Sequence, residues 1–509
     1  MDGITENIMS LVAAGTVLAK AGDAQHTDQW WTTVFVIGHF TLQLALALRV
    51  IMRRRSVGES LSWIMVIFVF PVAGLVAYLL VGELRLGHRR ARRFESLFDP
   101  IREWLDELPQ QFRVNWADVG NDFSPLAHLA RRSFGLPALS HNEVELLTHW
   151  NTVFDRLIKD IDAAEHSCDL VFYIWQTGGR ANEVSEALLR AKARGVCCRI
   201  LVDSVGSRSF LKGKICRQMQ QAGIEICGAL PGGGIRMLFV RFDLRMHRKA
   251  VIIDGAIAYT GSLNLVDPRF FKQKSGVGNW VDAMVRITGP AVEAFTITFL
   301  AIWFVESKSD LAQLREQSKL HPTSLSGKSI LQVLPSGPAF RRDAIENFLL
   351  MAIYSAHEQV ILTTPYFVPS EALRVALTTA VQRGVEVILI VPDKVDSLLV
   401  RFASQAFKAD LLTAGVKILQ FQGGLLHTKS ITIDKKFSLF GSLNLDPRSF
   451  RLNFEISLAI FDPQATNAIY QLQQSYMDRS EIMDFDTWNS RSVGQRFAEN
   501  VARLMEPLL

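Results

Sequence analysis

The chain has 509 residues, 49% of them hydrophobic, and a formal net charge of +5. That length suggests roughly three domain-sized units, the positive mean hydropathy asks for some chain in a membrane, and so mild a charge gives no argument for nucleic acid. Five cysteines (Cys168, Cys197, Cys198, Cys216 and Cys227), odd in number and without paired C-x-x-C spacing, point to a reduced compartment and to no zinc site.

Near the start, Ile8 to Ala19 is apolar, but Asp2 and Glu6 precede it and no Lys or Arg does. It lacks the positive region of a secretory signal and reads as a short interfacial helix or an unstructured stretch. Thr32 to Met52 is uncharged apart from Arg49, and Leu61 to Gly82 carries no charge at all. Each is about 20 residues, enough to cross a ~30 Å hydrocarbon core as helix, and Pro71 is tolerated in such a helix. Residues 1–94 are therefore predicted to be a membrane region with two transmembrane helices, at about 32–52 and 61–82. Two spans would return the chain to its starting side. The basic residues then conflict: Arg53, Arg54 and Arg55 lie between the spans, whereas Arg85, Arg89, Arg90, Arg92 and Arg93 follow them. Positive-inside counting pulls both ways and only slightly favours a cytoplasmic body; alternatively, the two segments form a shallow hairpin with both basic clusters on one face. The second cluster suits anionic headgroups, or is simply a stop-transfer flank.

Residues 95–140 mix charges and turn formers without a sustained period and read as a linker. Two similar halves follow, 141–325 and 326–509. The first has an amphipathic helix near Leu147–Ala164, a strand-like run Leu170–Trp175, a helix ending at Arg194-Gly195 and a strand Cys198–Val202. The second repeats the order, with Ile345, Phe348, Leu349, Ala352 and Ile353 on one helix face, then Val360–Thr363, a helix ending at Arg383-Gly384, and Val385–Val391. Short apolar strands alternating with helices predict an α/β fold with parallel-type sheets covered on both faces. The Arg-Gly pairs lie 189 residues apart (194 to 383). The first half then carries about nine extra residues before its next motif, and Leu230–Met246 is the natural place for them.

That motif is the most specific feature of the chain. His247-Arg248-Lys249, Asp254 and Gly261-Ser262-Leu263-Asn264 return as His427-Thr428-Lys429, Asp434 and Gly441-Ser442-Leu443-Asn444, every position shifted by 180 (247 to 427, 254 to 434, 264 to 444). Only 11 histidines occur in the chain, so two in one register are not accidental. The others, such as His141, His149, His166 and His357, have no such company. On a strand, residues i and i+2 share a face, so each His projects beside its Lys. Two ammoniums, the amides of Asn264 and Asn444 and the hydroxyls of Ser262 and Ser442 can hold the free oxygens of a phosphodiester. One imidazole can attack phosphorus, giving a phosphohistidine, while the other starts protonated and serves the leaving alkoxide. Spacing alone does not choose between them. Asp282 and Glu455 can each fix an imidazole tautomer; they follow their Asn by different distances, so this pair is less symmetric than the histidines. Asp254 and Asp434 travel with the catalytic set, but their place at the far ends of the His strands favours support of turns. No HExxH, Walker A or carboxylate cluster accompanies the motif, so neither metal nor cofactor is expected.

H-x-K-x4-D-x6-G-S-x-N, present twice, resembles the signature of the phospholipase D superfamily, over roughly residues 140–509. The resemblance implies two pseudo-twofold-related α/β/α sandwich halves with one active site at their seam. The apolar N-terminus, Val81-Gly82-Glu83-Leu84-Arg85-Leu86-Gly87 with Arg89-Arg90, Thr364-Pro365-Tyr366-Phe367-Val368-Pro369, Asn444–Phe450 and the terminal Glu506-Pro507-Leu508-Leu509 resemble the bacterial cardiolipin synthase family. This implies metal-independent condensation of two phosphatidylglycerols to cardiolipin and glycerol at the bacterial inner membrane, with His247 as nucleophile and His427 as acid and base. Its partners would be phosphatidylglycerol and anionic membrane lipids, with no role for nucleic acid. A hydrolytic phospholipase D releasing phosphatidic acid is the alternative, and a catalytically dead lipid-binding scaffold a more distant one. Met237-Leu238-Phe239-Val240 and Leu398-Leu399-Val400 with Phe402 and Phe407 are read either as acyl-chain contacts or as ordinary core.

Overall fold

A computed structural model of the protein describes residues 30–501, apart from 54, 120–121, 232–239, 318–326, 397, 485–490 and a few positions beyond 494. Ile8–Ala19, Met237-Leu238-Phe239 and the terminal Glu506-Pro507-Leu508-Leu509 lie outside the described residues, as do the side chains of Leu398, Leu399, Val400 and Phe402. The chain forms two compact units, one ending at Glu83 and the other beginning at Leu84.

In the first unit, α1 (Trp30–Met52) has 23 residues and is the one described helix long and apolar enough to cross a membrane. The expected second span is not one helix. It is divided into α2 (Val57–Val69) and α3 (Pro71–Ala77), the latter continued by a π-helical turn, Tyr78–Gly82. The cause is local. Proline disfavours helical geometry in the residue before it, and Phe70 accordingly sits at φ −118°, ψ 78°.

The second unit includes the region read as a linker. His88–Glu95, Phe98–Asp106 and Ser124–Phe134 are helices. Trp104 and Leu136 belong to one hydrophobic core, and Leu126, Ala130 and Phe134 to another. Arg90 also grips Glu306 with two hydrogen bonds of 2.6 and 2.9 Å. These helices are short, and the chain turns at Pro109 between two of them, so no long apolar period reveals them.

The strands of the first half are β1 (Leu139–Leu147), β2 (Ser167–Phe172), β3 (Cys197–Asp203), β4 (Glu225–Ala229), β5 (Arg245–Met246), β6 (Ala250–Ile253), β7 (Ile257–Gly261), β8 (Trp280–Val281) and β9 (Met284–Thr288). The second half supplies β10 (Ser329–Ser336), β11 (Gln359–Thr363), β12 (Glu386–Pro392), β13 (Lys417–Phe421), β14 (Leu425–Leu426), β15 (Ser430–Ile433), β16 (Phe437–Gly441), β17 (Asn453–Ile460) and β18 (Ser480–Ile482). One sheet runs through both halves in the order β18-β13-β12-β11-β15-β16-β17-β10-β1-β9-β7-β6-β2-β3-β4. Apart from the extra edge strand β18, it reads the same outward from the antiparallel β1–β10 seam in either direction. The sheet is mixed, which corrects the expectation of parallel strands. Within each half β2–β3–β4 and β11–β12–β13 run parallel, whereas β6 and β15 join antiparallel. The His strands turn straight into β7 and β16, and a hairpin needs no crossover helix. Both turns have positive φ at two successive residues, Asp254-Gly255 and Asp434-Lys435, as hairpin turns of the primed types require. A separate core fills each half, and a third, built on the buried helix Ala291–Glu306, spans the seam.

Candidate active site

The two His motifs meet because each is threaded through the opposite half. β5 runs parallel to the start of β17, and the His247 amide donates to the Phe454 carbonyl at 2.9 Å. β14 runs parallel to β8, and the His427 amide donates to Val281 at 2.8 Å. The next residues in those partner strands are Glu455 and Asp282. His247 Nδ1 lies 2.8 Å from Glu455 Oε2, and His427 Nδ1 lies 2.6 Å from Asp282 Oδ1. Each histidine is therefore oriented by a carboxylate from the other half, and the unequal sequence offsets of Asp282 and Glu455 conceal equivalent positions. With Nδ1 held by a carboxylate, Nε2 is the nitrogen left for chemistry.

Ser262 donates to Asp282 at 2.7 Å, and Ser442 donates to Glu455 at 2.5 Å. The serines thus support the carboxylates, whereas the sequence suggested that they face the phosphate; a hydroxyl buried on the adjoining strand meets the carboxylate first. The preceding glycines allow this close approach. A Cβ on Gly261 would strike the Ala283 carbonyl, and one on Gly441 the Ile456 carbonyl. Lys249 and Lys429 are buried, and each donates back to the carbonyl of its own histidine.

Asp254 and Asp434 sit at the opposite ends of the His strands, away from the cavity, and this corrects their grouping with the catalytic residues. Asp254 accepts from the backbone amides of Glu165, His166 and Ser167, and Asp434 from those of His357, Glu358 and Gln359. They pin each hairpin tip to the start of the neighbouring strand.

A cavity of about 400 Å³ opens between the histidines, lined by His247, His427, Asn264 and Asn444. Asn264 Oδ1 accepts from the Ile174 amide at 3.1 Å, which leaves its NH2 group as the free end. Asn444 Oδ1 is buried with no partner among the described residues. Tyr173 packs against His247 with ring centroids 4.9 Å apart, and Trp280 against His427 at 4.3 Å. Phe407, read above as a possible acyl contact, is buried and does not line this cavity.

Sequence reasoning missed the charged remainder of the lining: Arg245, Arg448, Asp446, Lys272, Asp396 and Tyr366. Arg448 hydrogen-bonds the Asp243 carbonyl. Asp396 accepts from Lys272 at 2.9 Å and from the Tyr366 hydroxyl at 2.6 Å. Tyr366 and Arg448 stand in segments that carry the family resemblance, and that was the available signal.

Burial dominates the electrostatics. It pushes both imidazoles down to about 4, against the pull of their carboxylates, and the Lys249 ammonium down to about 8. Lys429 is lowered further by burial and by Lys249 beside it. Burial alone would raise the Asp282 carboxyl, but His427 and Lys429 hold it below its ordinary value. The cationic forms that burial disfavours here are the ones that an anion in the pocket would favour.

Residues 157–303 and 349–478 match the family model described as cardiolipin synthase, PLD-like domain, and residues 41–83 match the one described as phospholipase D-nuclease N-terminal. Over 479 residues the chain is 43% identical to cardiolipin synthase A of Yersinia pseudotuberculosis serotype O:1b (strain IP 31758), covering 94% of this chain and 98% of that protein. Cardiolipin synthase A of Yersinia pestis bv. Antiqua (strain Angola) matches equally well. The chain belongs to the cardiolipin synthase family. It is accordingly a phosphatidyltransferase of the phospholipase D superfamily. The crystal structure of phosphatidylserine synthase from Haemophilus influenzae Rd KW20 covers 76% of this chain and 99% of its own, with TM-score 0.55 and 15% sequence identity. That likeness is one of fold.

Proposed function

We propose that the enzyme condenses two phosphatidylglycerols to cardiolipin and glycerol through a phosphatidyl-histidine, without a metal. The observation that carries this reading is the crossed pair of carboxylate–Nδ1 contacts around one cavity. In the first step His247 Nε2 attacks phosphorus, the bond from phosphorus to the glycerol oxygen breaks, and His427 gives its Nε2 proton to the departing alkoxide. In the second, the glycerol hydroxyl of another phosphatidylglycerol loses its proton to His427 and attacks phosphorus, and the phosphorus–nitrogen bond breaks. The substrate anion favours the charged imidazole that burial disfavours, so His427 gains its proton as the phosphodiester binds. The amides of Asn264 and Asn444, with the two lysines, stabilise charge on the free phosphate oxygens.

Condensation brings a second phosphodiester, that of the acceptor. Arg245 and Arg448, on the lining beside His247, supply positive charge for it. The enzyme is expected to work at the bacterial inner membrane with its catalytic body on the cytoplasmic side. Purified protein in phosphatidylglycerol vesicles should release cardiolipin and glycerol in equal amounts, with or without chelator. Phosphatidic acid in place of cardiolipin would establish the hydrolytic alternative.

A further inference from the structure

We propose that the N-terminal unit crosses the bilayer once, through α1, and that residues 57–82 enter and leave the same leaflet as a re-entrant helical hairpin. This inference is independent of the reaction above.

The limbs are too short to cross separately. α2 has 13 residues and the Pro71–Gly82 limb has 12, so each reaches about 20 Å at 1.5 Å per residue, against a ~30 Å hydrocarbon core. The limbs fold back on one another. The Trp63 and Tyr78 rings meet edge to face at 5.3 Å, and a Cβ on Gly74 would collide with the Val66 carbonyl. Both pairs are centred on residue 70. The hairpin also ends where α1 ends: Arg49, in the last turn of α1, holds Glu83 with bonds of 2.6 and 2.8 Å, and Arg53 reaches it at 3.3 Å. With two spans, these residues would lie on opposite faces of the membrane.

A helix end inside lipid leaves carbonyls without donors, and each must be satisfied by protein. At the tip, the Phe70 amide donates to Val66. The Ile67 carbonyl is satisfied by Gln43, a buried amide near the middle of α1, at 2.9 Å. A polar side chain halfway along an apolar span thus serves the hairpin tip. The exposed side chains from Leu61 to Leu79 are all apolar, among them Leu61, Met65, Phe68, Val72 and Val76.

Charge gives an independent argument. With two spans, Arg53–Arg55 and Arg85–Arg93 fall on opposite faces. With the hairpin, Arg49, Arg53, Arg54, Arg55, Arg85, Arg89, Arg90, Arg92 and Arg93 all collect on one side. The flank before Trp30 holds Lys20 against Asp2, Glu6, Asp23 and Asp28. The conflict in the positive-inside count disappears, and the basic side is cytoplasmic.

The test uses the full-length chain in intact and permeabilised cells, with a membrane-impermeant maleimide and label counted above the parent protein. Trp30→Cys, Val57→Cys and Ser96→Cys lie at exposed positions, and Phe70→Cys probes the tip; retained activity certifies each fold. Val57→Cys and Ser96→Cys should label only after permeabilisation, Trp30→Cys in intact cells, and Phe70→Cys in neither. Labelling of Val57→Cys and Ser96→Cys from opposite sides would restore two spans. Labelling of Trp30→Cys and Ser96→Cys from the same side would also overturn the single crossing. Should Phe70→Cys misfold, the other three positions still decide the outcome.

Discussion

The two halves agree in what binds and activates a phosphodiester and differ in what surrounds it. His, Lys, Asn and the Ser-supported carboxylate recur at equivalent places, with Glu455 in one half answering Asp282 in the other. Two positions before those carboxylates, however, stand Asn453 and Trp280, and these pair with Arg245 and Leu425 respectively. The His247 side of the cavity is therefore polar and cationic, and the His427 side aromatic, with Lys272 neutralised by Asp396. Under the proposed reaction, duplication supplies chemistry that either histidine could perform, and the departures from symmetry would give it a direction.

The sharpest way to break this comparison is to remove each histidine. His247→Ala should lower turnover by at least ~10⁴-fold and abolish the lipid–protein adduct trapped by denaturation at alkaline pH. His427→Ala should cost ~10²–10⁴-fold while the adduct persists on His247. An adduct found on His427 in the parent enzyme would reverse the direction. The next largest effects come from the crossed carboxylates. Glu455→Gln and Asp282→Asn should each cost on the order of 10²–10⁴-fold, because the tautomer is no longer fixed. The steps affected should differ, however. Glu455→Gln slows adduct formation, and Asp282→Asn slows proton transfer from and to His427. Rapid-quench measurement of both steps separates them, and identical effects would mean that the two carboxylates do the same job.

Much of this was legible in the sequence, because His, Lys and Asn keep one register and chemistry tolerates few substitutes for them. The crossing of the carboxylates was not. It depends on β5 and β14 each pairing with a strand from the far half, and no local pattern encodes that. Asp254 was readable in the opposite sense, since five residues of strand beyond Lys249 carry it to the far end. The break in the second apolar segment was not legible either, because hydropathy measures what lipid accepts and is blind to the fold-back at Phe70-Pro71.

Protonation provides a third test, expected at the scale of a few kcal/mol. Both histidines are buried and pushed down to about 4, whereas an unfolded chain protonates them near 6.5. Between those values the unfolded state binds more protons, so stability falls as pH falls through that window. Each histidine contributes up to about 3 kcal/mol of that loss. Thermal unfolding of detergent-solubilised protein between about pH 7 and pH 4.5 should show the slope, and a His247→Asn, His427→Asn double variant should lose most of it. An unchanged slope would mean that the pocket leaves both imidazoles at their unfolded-state protonation, and a steeper one that it holds them charged.

The smallest effect tests the asymmetry most directly. Asp267-Pro268-Arg269 and Asp446-Pro447-Arg448 are the same tripeptide, but Val266 puts the first one residue out of the 180-residue register. That single insertion turns the two arginines in different directions. Arg269 folds back on Asp267 at 2.7 Å and is half exposed, while Arg448 lines the cavity. If the cationic side of the cavity receives the acceptor's phosphate, Arg448→Gln should raise the KM for phosphatidylglycerol by ~10-fold, the worth of about one charge-assisted hydrogen bond. It should also divert part of the adduct to water, seen as phosphatidic acid. Arg269→Gln should change neither quantity. Equal behaviour of the two variants would show that the register slip at Val266 is only a loop difference, and that the direction of the reaction is set by the histidines' carboxylates alone.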